Sequence, residues 1–418
     1  MVDRDSRPAN THQITTTDTQ AAVRRTEPAS GACTQAEYAI YRLLRRISAA
    51  GCENSIMPSL PSAAAYALGV GLVIPLFAQS GPSFVDITWM SLANLHYQIG
   101  NTGVVTDGYF TRIPQAAFYG GPSGLAGTRE AYRPDVEAVR RVLSALGGPP
   151  RVNLLLTGHS HWDHSFDTAT WATLTDAPII GSRTTCFQAM AENIPAERCT
   201  VVDGREQMTV AEGVTMVVVR WNHSGDPDRN PEQHNPVELD AVPARDPVTG
   251  GLRAGVAEDF PNGGGSRGFL FRANGPDGSF SWFQQSSASA VDLAVPIVVD
   301  GVDYGAPIDN LRAAMGEVGL ESVDLWIGSA GLAVVELVVP VIRPKAFLPI
   351  HWDGLWDPFE DGLARPFAGG ALEAYLREVA IELMAPGQFM DQWRLDATGI
   401  QPRNNQAAQR SLGFTVRQ

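Results

Sequence analysis

The residues with the clearest chemical potential lie together in Leu154-Leu-Leu-Thr-Gly-His159-Ser-His161-Trp-Asp163-His164. Three histidines and one aspartate fall within six residues, directly after an apolar run that suits a strand covered on both faces. On extended backbone, side chains two apart project to the same side, so His159 and His161 can face one ion. Asp163 and His164 follow where the chain must turn, and can face a second point nearby. Imidazole and carboxylate suit zinc, with iron or manganese as alternatives. Gly158 lets the backbone bend just before these residues. With 8 histidines in 418 residues, a chance His-x-His-x-Asp-His has odds on the order of one in several thousand. Adjacent histidines buried without a metal would need several separate hydrogen-bond partners. The motif therefore predicts a metal centre.

The elements that must hold this motif can be read around it. From Phe84, VDITWMSLANLHYQIGNTGVVTDGYF alternates and turns like a β-meander, with Gly100-Asn-Thr-Gly103 as a hairpin signal. A helix is expected at about Pro134 to Leu146, closed by Gly147-Gly148 and Pro149-Pro150. Further strands are expected at 214–221, 267–273, 280–285, 323–328 and 345–350, with helices near 308–319 and 331–341 separating the last of them. Strands and helices alternate throughout, so the class is α/β, with a sheet-rich first half. Between His223 and Ser266 lies a long segment rich in Pro, Asn, Asp and Gly, read as an insertion over the site at about 224–266; the alternative is a solvated loop.

Residues 1–83 read as an N-terminal extension. Its first 33 or so residues lack a hydrophobic period, Thr34-Gln-Ala-Glu37 has capping-box spacing before a short amphipathic helix, and residues 63–78 are uncharged and apolar. That last stretch is short for a spanning helix, so no integral membrane domain is expected. It suits a signal-peptide core, which implies export or a periplasmic location, or else a buried element of a cytoplasmic protein. Residues 84–400 form the main domain in this reading, and 401–418 a C-terminal tail.

Thirty-one Lys+Arg against forty-five Asp+Glu leave a formal charge of −14, a surface that repels phosphate backbones and anionic headgroups. Nucleic acid is thereby excluded as the main partner, and a small-molecule substrate is expected. Four cysteines make no disulfide framework and no Cys-x-x-Cys zinc site; Cys186 and Cys199 are either a bridge, if exported, or two buried thiols.

The motif resembles the signature of the metallo-β-lactamase superfamily, His-x-His-x-Asp-His after a strand end. The opening meander with Asp107 at a strand end, His223 in VVVRWNHSGD and His351 in RPKAFLPIHWDG extend the resemblance over about residues 84–360. Order and spacing look most like the branch containing ascorbate-phosphate lactonase and phosphodiesterase-like hydrolases. The resemblance implies a four-layer αββα sandwich. It implies that His159, His161 and His223 ligate a first metal, and that Asp163, His164 and His351 ligate a second. One or two zinc ions would activate water against an ester, lactone or related acyl bond, with Asp163 orienting that water or shuttling its proton. Phosphodiester hydrolysis is the alternative within the same chemistry, disfavoured by the lack of a Lys/Arg cluster near the ligands. Di-iron redox chemistry is a third reading, weakened because such members carry a carboxylate where this chain has His161. A non-catalytic metal-binding module is a fourth.

One departure stands out. The family usually places a metal-bridging aspartate at a later strand end, where this chain reads SWFQQSSAS, so that Gln284, Gln285 or Ser286 occupies the place. A neutral group contributes no charge to offset the repulsion of two dications. Either one metal is held tightly in an asymmetric site, or two are held and bridged only by hydroxide, unless Asp292 or Asp300 substitutes in a different register. Asp353 and Asp226 are either acceptors for ligand imidazole N–H groups or surface charge. Trp162, Trp221, Trp352 and Trp356 either pack behind the ligands or form an apolar rim. Of the other histidines, His12 is discounted, His96 is expected at the surface or in packing, and His234 is expected to be solvated, with contact to the substrate as the alternative.

Overall fold

The computed structural model describes residues 81–415, apart from 118–128 and positions 230, 232, 235, 236, 256 and 257. The expectations for the N-terminal tail, the helix after Thr34 and the apolar stretch 63–78 fall outside the described residues.

Two mixed sheets carry the molecule. The first contains β1 (Phe84–Ser91), β2 (Asn94–Ile99), β3 (Thr102–Thr106), β4 (Leu154–Leu156), β5 (Ile179–Gly181) and β6 (Cys199–Val201). The hairpin between β2 and β3 turns at Gly100-Asn101, as the sequence predicts. The second contains β7 (Gln207–Ala211), β8 (Val214–Trp221), β9 (Ser266–Gly275), β10 (Gly278–Gln285), β11 (Leu325–Gly328), β12 (Ala346–Pro349) and β13 (Glu382–Leu383), in chain order across the sheet. The chain then returns to the first sheet with β14 (Asp391–Asp396) and β15 (Gly399–Arg403), antiparallel beside β1.

Each sheet begins as an antiparallel meander and continues in parallel: β3 to β6 in one, β10 to β13 in the other. Parallel neighbours need crossovers, and helices supply most of them. In the first half these are α1 (Val136–Leu146), α2 (Trp162–Ser165), α3 (Thr168–Thr175) and α4 (Arg183–Ala191); in the second, α5 (Pro307–Glu317), α6 (Leu332–Ile342) and α7 (Ala371–Glu378). Asp135 caps α1 by accepting from the N–H groups of Glu137 and Ala138, and Gly147 ends it in a left-handed conformation.

Strand periodicity explains the layering. Along β8, Met216 and Val218 pack with the first sheet's residues, while Val217, Val219 and Trp221 pack with the helices α5 and α6. The same split recurs at Leu325 and Ile327 against Trp326, and at Ala346 and Leu348 against Phe347. Both faces of these strands are buried, which is why they read as continuous apolar runs. Between the sheets, Tyr97 of β2 lies 5.7 Å, ring to ring, from both Phe271 and Trp282. Each such aromatic pair adds about 0.5–1.5 kcal/mol beyond its buried area. The result is the αββα sandwich that the resemblance implies.

Residues 401–418 are not a free tail as far as they are described. β15 runs to Arg403, α8 (Gln406–Ser411) follows, and Phe414 is buried against Phe359 and Phe389. The segment's apolar residues are too few to show a period by themselves. The segment between His223 and Ser266 is also packed: Leu252–Arg253 pairs with Ala131–Tyr132, and Phe260 is buried against Phe166. Cys186 of α4 is bridged to Cys199 of β6. Among the described residues, no helix is long and apolar enough to cross a membrane.

Candidate metal centre

The motif sits where the first sheet meets the second. Past β4, the Gly158 N–H donates to Asp107 Oδ1 at 2.7 Å, and its carbonyl accepts from the Arg267 N–H of β9 at 2.6 Å. Added bulk at Gly158 would meet the Ser286 hydroxyl, so the glycine permits this close approach. His161 caps α2, and Asp163 and His164 occupy that helix's first turn. Ser165 Oγ and the Gln188 side chain both bond the Ser160 carbonyl, bracing the loop from behind.

Two triads result. His159, His161 and His223 converge, with His161 Nδ1 at 3.0 Å from His223 Nε2. Asp163, His164 and His351 form the other: His351 Nε2 lies 3.1 Å from Asp163 Oδ2 and 3.2 Å from His164 Nε2, and the last two atoms are 3.3 Å apart. An ion ligated tetrahedrally at about 2.0–2.1 Å spaces its ligands by about 3.3 Å, so the second triad fits one. The rings of His159 and His164 are 3.8 Å apart, so the triads are neighbours. The first triad carries its own sign of a missing partner: both ring nitrogens of the fully buried His159, and Nε2 of His161, have no hydrogen-bond partner. All six residues expected as ligands are thus brought together.

The two triads differ in charge. Burial, with the neighbouring imidazoles, holds His159 well below the ordinary histidine range, and burial lowers His223 similarly. Burial lowers His161 to about 4 despite Asp163. These rings are neutral and offer lone pairs. At His164 burial also acts downward, but the carboxylates of Asp163 and Asp107 outweigh it and raise the ring to about 10. At Asp163 burial acts upward, and His164 and His351 together hold it well below the carboxylate range.

Hydrogen bonds fix ring orientation. His164 Nδ1 donates to Asp107 Oδ2 at 2.9 Å, and His223 Nδ1 to the Ser224 carbonyl at 2.8 Å, leaving each Nε2 facing its triad. Of the two readings open for Asp353 and Asp226, the role of imidazole acceptor is not the one observed. Asp353 instead accepts from the Leu92 N–H with both oxygens, at 3.0 and 2.9 Å. Asp226 accepts from the Asp228 N–H within its own loop. Those contacts still shape the site, because the His351 N–H donates to the Leu92 carbonyl at 3.0 Å. His351 has a φ of +61° and Asp107 one of +59°, so two residues of the site hold left-handed backbone.

Among the described residues, no aspartate bridges the triads. Asp292 pairs with Asn222 and faces His234, and Asp300 lies exposed in a turn. β10 delivers Ser286, buried and without a hydrogen-bond partner, next to Gly158, and both side-chain polar atoms of Gln284 are likewise unpartnered. His234 is not solvated: its side chain is 9% exposed and its ring lies edge-on to His223 at 5.5 Å. His96 takes the packing role, buried with Nε2 at 2.8 Å from the Arg151 carbonyl.

A cleft of about 140 Å³ opens onto both triads. Trp162, Leu355 and Trp356 line one part, the two tryptophan rings stacking at 5.3 Å, and Ser224, Gln233 and Ser287 also contribute. Trp221 is buried against Phe283 and Trp352 stacks on Trp89, so those two pack behind. The rim and wall readings each hold for two of the four tryptophans. Among the described lining residues there is no Lys or Arg.

No protein-family model matches the chain, and no curated protein matches it. Solved structures do. A metallo hydrolase from the hyperthermophilic archaeon Ignicoccus hospitalis aligns at 11% identity and a TM-score of 0.41, over 74% of this chain and 98% of that one. A metallo-β-lactamase fold protein from Bacillus subtilis aligns at 12% and 0.38, over 75% and 99%. A diiron β-hydroxylase from Streptomyces venezuelae aligns at 11% and 0.39, over 75% and 54%.

Proposed function

We propose that this chain is a metal-dependent hydrolase of the metallo-β-lactamase superfamily, acting on an ester, lactone or related acyl bond with zinc held by the two triads. The observation that carries the reading is the convergence of Asp163, His164 and His351 at 3.1–3.3 Å beside three neutral imidazoles, with every one of the six but the buried His159 lining one cleft.

When bound, a divalent ion brings the pKa of a water towards neutrality and polarises the carbonyl oxygen of a substrate. The chain's own residues supply the rest. Asp107 and the Ser224 carbonyl fix which nitrogen of His164 and His223 faces the cleft. Asp163, kept ionised and lining the cleft, orients a water by accepting its hydrogen bond. Trp162, Leu355 and Trp356 offer an apolar wall for the acyl or aryl part of the substrate. The lactonase-like branch that the sequence resembles is compatible with such a substrate.

The absence of Lys or Arg from the described cleft lining supports the acyl reading over phosphodiester hydrolysis, because phosphate pockets usually supply cations. The test is metal content together with turnover of p-nitrophenyl esters, lactones and bis-p-nitrophenyl phosphate, before and after chelation. Ester or lactone turnover that chelation abolishes and zinc restores is expected. Turnover of the phosphodiester alone would establish the second reading, and tight metal binding with no turnover of any of the three would refute a hydrolase.

A further inference from the structure

Besides the ligands and the apolar group of Trp162, Leu355 and Trp356, the cleft is lined by a polar group, Ser224, Gln233 and Ser287. Ser224 directly follows the ligand His223 in the loop after β8, and Ser287 comes two residues after β10. The Ser224 N–H donates to Ser287 Oγ at 2.7 Å, and the Ser224 carbonyl accepts from His223 Nδ1 at 2.8 Å. The Ser287 hydroxyl is thereby fixed against the loop that carries a proposed metal ligand.

A hydroxyl has one proton to give and two lone pairs to receive with. The Ser224 N–H takes a lone pair of Ser287, and no acceptor among the described residues takes its proton. Ser224 is half-exposed, so solvent can satisfy its own hydroxyl; Ser287 is only 2% exposed, yet it lines the cleft. Accepting one hydrogen bond polarises an O–H and makes it a stronger donor. A donor held in place, shielded from water and left without a protein acceptor is preorganised for negative charge that develops beside it. On the hydrolase reading above, on which this rests, we infer that Ser287 is a catalytic residue whose hydroxyl donates to the substrate's carbonyl oxygen during attack. The cleft, about 140 Å³ and shared with five of the six proposed ligands, leaves whatever reaches Ser287 beside the reacting carbonyl. The oxygen of water bonds to the carbonyl carbon, and the π pair moves onto the carbonyl oxygen. On collapse the bond to the alcohol oxygen breaks, and that oxygen leaves with the proton that water gave up. Ser287 keeps its own proton throughout. Its hydrogen bond is roughly twice as strong to the charged oxygen as to the neutral carbonyl, so it favours the transition state over the bound substrate.

The test combines turnover of the best ester or lactone of the panel with calorimetric binding of two unreactive ligands to the zinc-loaded protein. Methyl benzylphosphonate is a tetrahedral anion like the attacked carbonyl, and phenylacetamide presents a planar neutral carbonyl. Ser287→Ala should lower kcat on the order of 10²-fold, the usual loss of one such donor, with KM and zinc content nearly unchanged. It should weaken the phosphonate by about 10–100-fold and phenylacetamide by less than about tenfold. Ser287→Cys, nearly the same shape with a weaker donor, should fall between wild type and Ser287→Ala in kcat and in phosphonate affinity.

An unchanged kcat in Ser287→Ala, a rise in KM alone, or an equal loss of both ligands would overturn the inference while leaving the hydrolase reading intact. Zinc loss in either variant would overturn it too, by making Ser287 a support for the loop that carries His223. Should Ser287→Ala not fold, Ser287→Cys decides by itself, and a kcat and phosphonate affinity equal to wild type would overturn the inference. If zinc-loaded wild type turns over no ester or lactone, the hydrolase reading fails and this inference falls with it.

Discussion

Loading of the two triads should differ in its proton count. His161 is lowered to about 4, and His159 and His223 also lie below the ordinary range, so the first triad is already deprotonated at pH 7. His164 is raised to about 10, so in the metal-free protein it carries a proton on the nitrogen that faces Asp163 and His351. An ion entering the second triad must displace that proton, since Nδ1 keeps its own in the bond to Asp107. From about 10 down to pH 7 the displacement costs on the order of 4 kcal/mol, or a factor of about a thousand in affinity. Affinity of the second triad should therefore rise about tenfold per pH unit above 7 and level off near 10. Zinc titration by calorimetry, in buffers of different ionisation enthalpy, counts the protons. Apart from any proton lost by a metal-bound water, the second ion should release close to one proton more than the first. A second ion that binds without proton release, with a pH-independent Kd, would refute the account. The same ring sets a stability trend in the metal-free protein. Because its pKa is raised on folding, its contribution is full below about 6.5 and is lost as pH rises through about 10.

Asp107→Asn should lower affinity for the second ion by about 10–100-fold, the usual effect of losing a partner that orients a ligand, and leave the first ion unchanged; competition with a chromophoric chelator measures both. It should also lower the pH at which the second affinity levels off, because one of the two carboxylates that raise His164 is gone. Asp163→Ala should reduce kcat on the best ester by about 10²–10⁴-fold, and full activity would remove the residue from the mechanism. Gly158→Ala should destabilise the fold by about 1–3 kcal/mol in chemical unfolding, since the new methyl meets the Ser286 hydroxyl. Adding Ser286→Ala should recover most of that loss, and no recovery would show that the crowding lies elsewhere.

The His-x-His-x-Asp-His segment was legible because its chemistry is local. Four ligands come from one strand end and the turn of helix that follows, and their spacing alone divides them between two points. The strands around them were legible for a related reason: Val214–Trp221 and Ala346–Pro349 are buried on both faces, so burial leaves a continuous apolar record. The residues that orient the ligands leave no such record. Asp107 is 57 positions from His164, and apart from its place in the family resemblance nothing in the run TDGYF distinguishes it from a turn aspartate or marks it as the partner of His164. Asp353 and Asp226 looked better by nearness in sequence, but the chain reverses at His351 and turns Asp353 towards Leu92. His234 was placed in solvent because a segment rich in Pro, Asn, Asp and Gly normally lies there. Its burial depends on Asp292, 58 residues later, and on His223, neither of which is visible as a period or motif.

The missing bridge is the instructive case, because here the sequence indicated correctly what was absent. The strand end that should deliver a carboxylate delivers Ser286, and neither Asp292 nor Asp300 takes its place. Of the six proposed ligands only Asp163 is anionic, so two bound dications would share one negative ligand. Their mutual repulsion is then offset mainly by what enters the cleft. Unequal occupancy of the triads follows from this charge count as well as from the proton on His164. The two causes can be separated, because only the second one fades as pH rises towards 10. If the second ion still binds much more weakly than the first at that pH, the shortage of negative charge, and not the proton, sets the asymmetry.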